Sequence, residues 1–225
     1  MNTKYIMLMS SLPYLGNLFE VKQPAISRLK LKSRLKLLRE NDEILLHRIA
    51  SLLGWSRQSP ERTDARFVAE ANGFLEETHS STLHELLERH FDILTIMAAF
   101  RRRQRGENQP PVGQSWGVGR WGGYIERHWM EPNFRLEGMF PWAPEANRLL
   151  SANDLTALER LLAGVNWNML DRLGVGHEFD FDAVVIYVSR WELVNRCCSY
   201  NREAAVQRFR ELVDSGIEEF KDILA

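Results

Sequence analysis

At 225 residues and 26.2 kDa the chain can bury a sizeable core as one domain or as two small ones. Its 44% hydrophobic and 26% charged residues are those of an ordinary globular protein, and 29 basic against 30 acidic residues leave a net charge of −1. Taken whole, the chain therefore implies neither a polyanionic nor a polycationic partner, although its charge is unevenly placed. Residues 22–39 hold seven Lys/Arg and no acid, whereas residues 211–222 hold five acids and one lysine.

The only cysteines, Cys197 and Cys198, are adjacent, so they offer neither a disulfide framework nor a spaced metal site, and a reducing compartment is expected. The apolar run Tyr5–Met9 is shorter than a signal-peptide core, and no uninterrupted apolar run reaches spanning length. The expected location is cytoplasmic, with any approach to the inner face of a membrane made through partners.

In chain order, residues 5–9 read as a short strand or an apolar plug ended by Leu12-Pro13-Tyr14. Pro24 suits a first helical position, and Leu31, Leu35, Leu38, Leu45, Ile49 and Leu52 recur at helical spacing, with a break near Asn41-Asp42 that makes two helices. Ser59-Pro60 reads as the cap and first residue of a helix carrying Phe67, Val68, Ala71, Phe74 and Leu75 on one face. Thr82 and Glu85 have capping-box spacing ahead of Leu83, Leu86, Leu87, Phe91, Leu94 and Ala98, and that helix ends in an arginine run that complements its carbonyl end.

Asn153 is the predicted cap of the next long helix, with Leu155, Leu158, Leu162, Val165 and Met169 on its face and Gly174 and Gly176 stopping it. Asp180 then caps a segment in which Phe179 can staple onto Val184. Ala183–Val188 is β-branched enough for a buried strand, but continuation through Trp191 and Val194 favours a core helix. Residues 202–224 place Phe209, Val213, Phe220 and Leu224 on one helical face and acids on the other. The predicted fold is mostly α, a multi-helix body of about eight helices. It divides into an N-terminal helical part (1–100), a Gly/Pro/Trp-rich connector (101–142) and a C-terminal helical part (143–225), packed as one compact unit.

The connector holds seven of the 14 glycines, four of the eight prolines and four of the seven tryptophans. It also matches two catalytic patterns. Gly117-Val118-Gly119-Arg120-Trp121-Gly122 fits GxGxxG, but Pro110-Pro111 stands where a strand must feed the loop. Gly113-Gln114-Ser115-Trp116-Gly117 fits GxSxG, with Asp171 and His177 following in hydrolase order, yet the elbow needs a sheet that the sequence does not supply. His84-Glu85-Leu86-Leu87-Glu88 lacks the second histidine of HExxH, and Glu76-Glu77-Thr78-His79 is a single ExxH where a di-iron bundle needs two. No catalytic residue, metal, cofactor or small-molecule ligand is therefore expected. Arg101, Arg102, Arg103, Arg105, Arg120 and Arg127, interleaved with Trp116, Trp121, Tyr124 and Trp129, are the candidate partner-binding residues. The same mixture can neutralise phosphates and stack bases, so binding of RNA or single-stranded nucleic acid is the alternative to a protein partner.

Words spread along the chain carry a further reading: Tyr5 with Ser10-Ser11-Leu12-Pro13-Tyr14-Leu15, the arginine run with Pro110-Pro111 and Trp116-Gly117, and Trp129 with Pro132-Asn133-Phe134. They continue in Phe140-Pro141-Trp142 with Pro144-Glu145-Ala146, then His177 with Phe179-Asp180-Phe181, Tyr187 and Trp191. As a set these resemble the small family encoded alongside bacterial V-type ATPase subunits, which is itself similar to the helical C/d subunit that caps the membrane rotor ring and receives the central stalk. The resemblance implies a non-enzymatic accessory subunit or assembly factor of an ion-translocating rotary ATPase, or a shortened equivalent of that subunit. Its implied partners are central-stalk or rotor subunits.

Overall fold

The computed structural model describes residues 3–54, 64–110 and 116–199. Their regular elements are all helices, with no strand among the described residues. In chain order the elements are α1 (Thr3–Ser11), α2 (Arg28–Leu35), α3 (Glu40–Leu52), α4 (Asp64–Glu77), α5 (Ser81–Gln104), α6 (Gly122–Arg127), a 3₁₀ turn (Pro132–Arg135), α7 (Ala143–Ser151) and α8 (Leu155–Leu173). A last helix, α9, covers 181–199.

The 24-residue α5 is the axis of the molecule. Ser80 caps it by accepting from the Leu83 amide, and Arg101, Arg102 and Arg103 occupy its last turn, opposite in charge to the exposed carbonyls. Its N-terminal half packs Leu83, Leu86, Leu87 and Phe91 into a first core with α1, α3, α4 and α9. Its C-terminal half packs Ile93, Ile96, Met97 and Phe100 into a second core with the connector, α7 and the start of α8. Between Phe91 and Phe100 burial runs round most of the helix, as befits an element with neighbours on all sides. Two smaller clusters seat the loop between α1 and α2 on α9, through Leu15, Ile26, Leu31 and Trp191 and through Leu18, Val194 and Cys198. Hydrogen bonds fasten the same loop: Tyr187 Oη donates to the Pro13 carbonyl and Trp191 Nε1 to that of Ile26, each at 2.8 Å.

Several expected boundaries shift, each for a local reason. Residues 5–9 form a helix, because Tyr5 and Leu8 are the buried pair and Met7, which a strand would bury with Tyr5, is exposed. Tyr5 Oη donates to Asp42, and the Arg39 guanidinium stands over its ring, tying α1 to the start of α3. The break between α2 and α3 falls at 36–39, and Asn41-Asp42 lies in the first turn of α3, where Glu40, Asp42 and Glu43 suit the positive end of the helix. Ser27 rather than Pro24 starts α2, its hydroxyl accepting from the Lys30 amide. Asp154 rather than Asn153 caps α8, accepting from the Ala157 amide while Asn153 turns the chain at φ +56°. Asp180 caps α9 as expected, at 2.8 Å from the Ala183 amide, and the β-branched run 183–188 is a buried stretch of that helix. The expected cap Ser59-Pro60 and the expected helix 202–224 lie outside the described residues.

Candidate functional site

The arginine run and the connector do not form a free-standing linker. Residues 101–104 complete α5, and the chain then folds back over the second core. Thr95, buried on α5, makes two hydrogen bonds to one residue of the returning loop: its hydroxyl donates to the Val118 carbonyl at 3.1 Å and accepts from the Val118 amide at 3.0 Å. That closeness explains two glycines of the GxGxxG match. A Cβ on Gly117 would lie 2.7 Å from Thr95 Cγ2, and Gly119 adopts φ +81°. The pattern is a packing device against a helix here, and no strand is present among the described residues.

Trp116 and Trp129 are buried and meet edge to face with centroids 5.9 Å apart. Trp116 Nε1 donates to Glu126 and Trp129 Nε1 to the Glu107 carbonyl, both at 2.9 Å. Phe134, fully buried, stacks on Phe100 at 5.2 Å and lies 5.4 Å from Trp129. It sits inside three successive left-handed residues, Asn133, Phe134 and Arg135, at φ +44°, +56° and +56°. Such a run costs on the order of 1–3 kcal/mol per residue and persists only where surroundings hold it. Arg103 supplies part of that hold, its guanidinium covering the Phe134 ring and donating to the Glu131 carbonyl at 2.8 Å. Asn147 supplies more, donating to the Asn133 side chain at 2.9 Å.

The ten candidate residues thus separate by position. Arg102 pairs with Glu107 at 3.0 Å, and together with Arg103, Trp116 and Trp129 it serves the interior of the connector. Trp121 and Tyr124 are half-buried: Trp121 meets Tyr124 and Phe140 edge to face, and Tyr124 stacks on His128 at 4.2 Å. Arg101, Arg105, Arg120 and Arg127 face solvent, Arg120 lying 5.5 Å over the Trp121 ring. The exposed rim of the connector is therefore cationic, and most of its aromatic surface is turned inward.

Two titratable groups of α5 escaped the sequence reading. Asp92 is 6% exposed beneath the loop, with Gly119 close against its carboxylate. Burial pushes its pKa up to about 6, against the opposing pull of Arg120. The Trp121 indole nitrogen nearby is buried without a hydrogen-bond partner of good geometry. A lone acid in the run Phe91-Asp92-Ile93-Leu94 was the available signal. Two residues earlier, His90 lines a cavity of about 60 Å³ with Asn166, Ser189, Glu192 and Arg196. Desolvation lowers its pKa to about 4, so the imidazole is neutral at physiological pH. Glu192 is held elsewhere, by both guanidinium nitrogens of Arg28.

The residues of the GxSxG reading do not converge among the described residues. Asp171 pairs with Arg190, and His177 uses Nε2 on Thr82 at 2.9 Å and Nδ1 on Asp180 at 2.7 Å; Ser115 lies outside the described residues. Thr82, His177 and Asp180 are spaced like a nucleophile, base and orienter, but each belongs to a helix start. Asp180 caps α9, and the cap of α5, Ser80, donates to Asp182 at 2.7 Å. His84 stands 3.5 Å from Glu88 and Glu77 pairs with Arg48, as solvated helix faces do. Among the described residues no group of three or more His, Cys, Asp or Glu could hold a metal ion, and no helix is long and apolar enough to cross a membrane. Compared with protein-family models, curated proteins and solved structures, the chain matches none of them.

Proposed function

We propose that the protein is a non-enzymatic accessory subunit or assembly factor of a V-type, ion-translocating rotary ATPase. It acts through protein–protein contacts with central-stalk or rotor subunits at the cytoplasmic face of the membrane. The observation that carries this reading is where the words of the family resemblance fall. Tyr5, Trp116, Trp129, Phe134 and Trp191 are buried, Pro13 accepts from Tyr187, and Asp180 starts α9. A resemblance carried by residues that hold the fold together supports a shared body more than a shared chemistry, and a subunit or assembly factor needs a body. The solvent-facing Arg101, Arg105, Arg120 and Arg127 are the contacts offered to an acidic partner surface.

Affinity purification of the tagged protein from native membranes tests the proposal. Recovery of V-type ATPase subunits is the expected result, and recovery of none from well-expressed, folded protein defeats it.

A further inference from the structure

Helix α2 lies on the outside of the bundle and is held to it along one face. Leu31 is its one buried residue, seated with Leu15, Ile26 and Trp191, and Leu35 packs partly beside it. Arg28 fastens the first turn: both its terminal guanidinium nitrogens reach Glu192 of α9, at 2.8 and 2.9 Å, and its guanidinium carbon stands 4.9 Å over the Trp191 ring.

What the helix turns outward is cationic. Lys30, Lys32, Arg34 and Lys36 are exposed and pair with no acid among the described residues. Acids on neighbouring helices are taken by other arginines, Glu192 by Arg28 and Asp42 by Arg39. Helical spacing sets Leu29, Lys30, Ser33 and Lys36 opposite Leu31 and Leu35, with Lys32 and Arg34 on the two flanks. Leu29, within that outward face, is 82% exposed, and Leu37, whose amide still bonds to the Arg34 carbonyl, is exposed just beyond the helix.

The chemistry of the face selects its partner. Three of the four cations are lysines, and residues 28–37 hold no aromatic ring. Lysine is depleted from protein–protein interfaces, and single-stranded nucleic acid is held by rings on which its bases stack, so both suit the Arg/Trp connector better than α2. A lysine stem lets its ammonium reach headgroup phosphates while the stem and a neighbouring leucine lie in the apolar boundary below them. The net charge of −1 does not oppose such a contact. At physiological ionic strength, screening confines the attraction to charges within about 8 Å of the lipid surface, and α2 is only about 12 Å long.

We propose that the outward face of α2 docks directly on a membrane surface rich in anionic lipid, with Lys30, Lys32, Arg34 and Lys36 on the headgroups and Leu29 and Leu37 dipping below them. The contact is peripheral and needs no partner protein, so it goes beyond the ATPase reading and stands or falls apart from it.

Co-sedimentation of the purified full chain with vesicles tests it, using phosphatidylcholine alone and an equimolar mixture of phosphatidylcholine and phosphatidylserine. Binding is expected to the mixture and not to phosphatidylcholine, and it should fall steeply with salt. Near an anionic surface each cation contributes about fivefold to partitioning, so Lys30→Gln/Lys36→Gln should bind roughly 25-fold more weakly. Leu29→Ser should weaken binding several-fold and leave its salt dependence unchanged, while Arg120→Gln/Arg127→Gln on the connector rim should bind like the parent. The proposal is overturned if the folded protein ignores the anionic vesicles, if it binds both kinds equally, or if the loss follows the rim variant and not the α2 variants. It is equally overturned if Leu29→Ser binds like the parent, or if the α2 lysines are needed to bind single-stranded RNA while vesicles are ignored, which would assign the face to nucleic acid.

Discussion

Thr95 and Val118 are joined by two hydrogen bonds, one in each direction, across 23 residues of sequence. The Thr95 hydroxyl thereby both donates and accepts, and the connector is fixed to the middle of α5 at a point with no room for a side chain on Gly117. Gly117→Ala must displace Thr95 and is expected to cost about 1–3 kcal/mol. Thr95→Val leaves the Val118 amide and carbonyl buried without partners and costs a similar ~1–3 kcal/mol. Urea denaturation of both variants checks this. Because both act on one contact, the double variant should lose less than the sum.

His177 couples the first turns of α5 and α9 through Thr82 and Asp180. His177→Ala removes both bonds and is expected to lower stability by about 1–3 kcal/mol, within the range for partly buried hydrogen bonds to polar and charged partners. In a double-mutant cycle with Thr82→Val, a measurable coupling energy identifies the clamp, and strict additivity refutes it.

Asp92 costs stability when ionised. Its pKa in the folded chain, about 6, lies above the ordinary 3.8, so its favourable contribution is full below pH 3.8 and disappears as pH rises through 6. Asp92→Asn escapes that loss and should be the more stable protein at pH 7.5, by up to roughly 3 kcal/mol. Thermal unfolding from pH 4 to 8 should show the advantage growing with pH and levelling above about 7.

His90 behaves in the opposite sense. Its pKa falls from 6.5 to about 4, so the unfolded chain takes up a proton that the folded chain refuses, and stability drops as pH falls from 6.5 towards 4. His90→Gln retains a neutral polar group beside Asn166 and should flatten this limb of the stability curve. Because the windows of Asp92 and His90 overlap with opposite sign, the parent protein changes less between pH 4 and 6 than either variant.

Helix identity was legible in the sequence wherever apolar spacing extended over three turns, as in α5 and α8, and the Asp180 cap of α9 was legible from its single residue. Caps went astray where two candidates adjoin. Ser80 takes α5 and frees Thr82 for His177, while Asp154 takes α8 and leaves Asn153 to turn the chain. The candidate site was legible as a composition but not as a surface. Trp116 and Arg120 read alike in the sequence as contact residues, and only the fold-back onto α5 buries one and leaves the other exposed. Asp92 and His90 were missed because their properties come from desolvation by α8, α9 and the connector, none of them near in sequence.

The claim that the protein works by contact with a rotary ATPase is met most directly by placing a photo-crosslinking amino acid at Arg120 or Arg127 on the exposed rim, with Trp129 as the buried control, and illuminating intact native membranes. The account predicts covalent adducts to a V-type ATPase central-stalk or rotor subunit from the two rim positions and none from Trp129. Rim adducts confined to proteins outside that complex, or no adduct from folded protein, would contradict it.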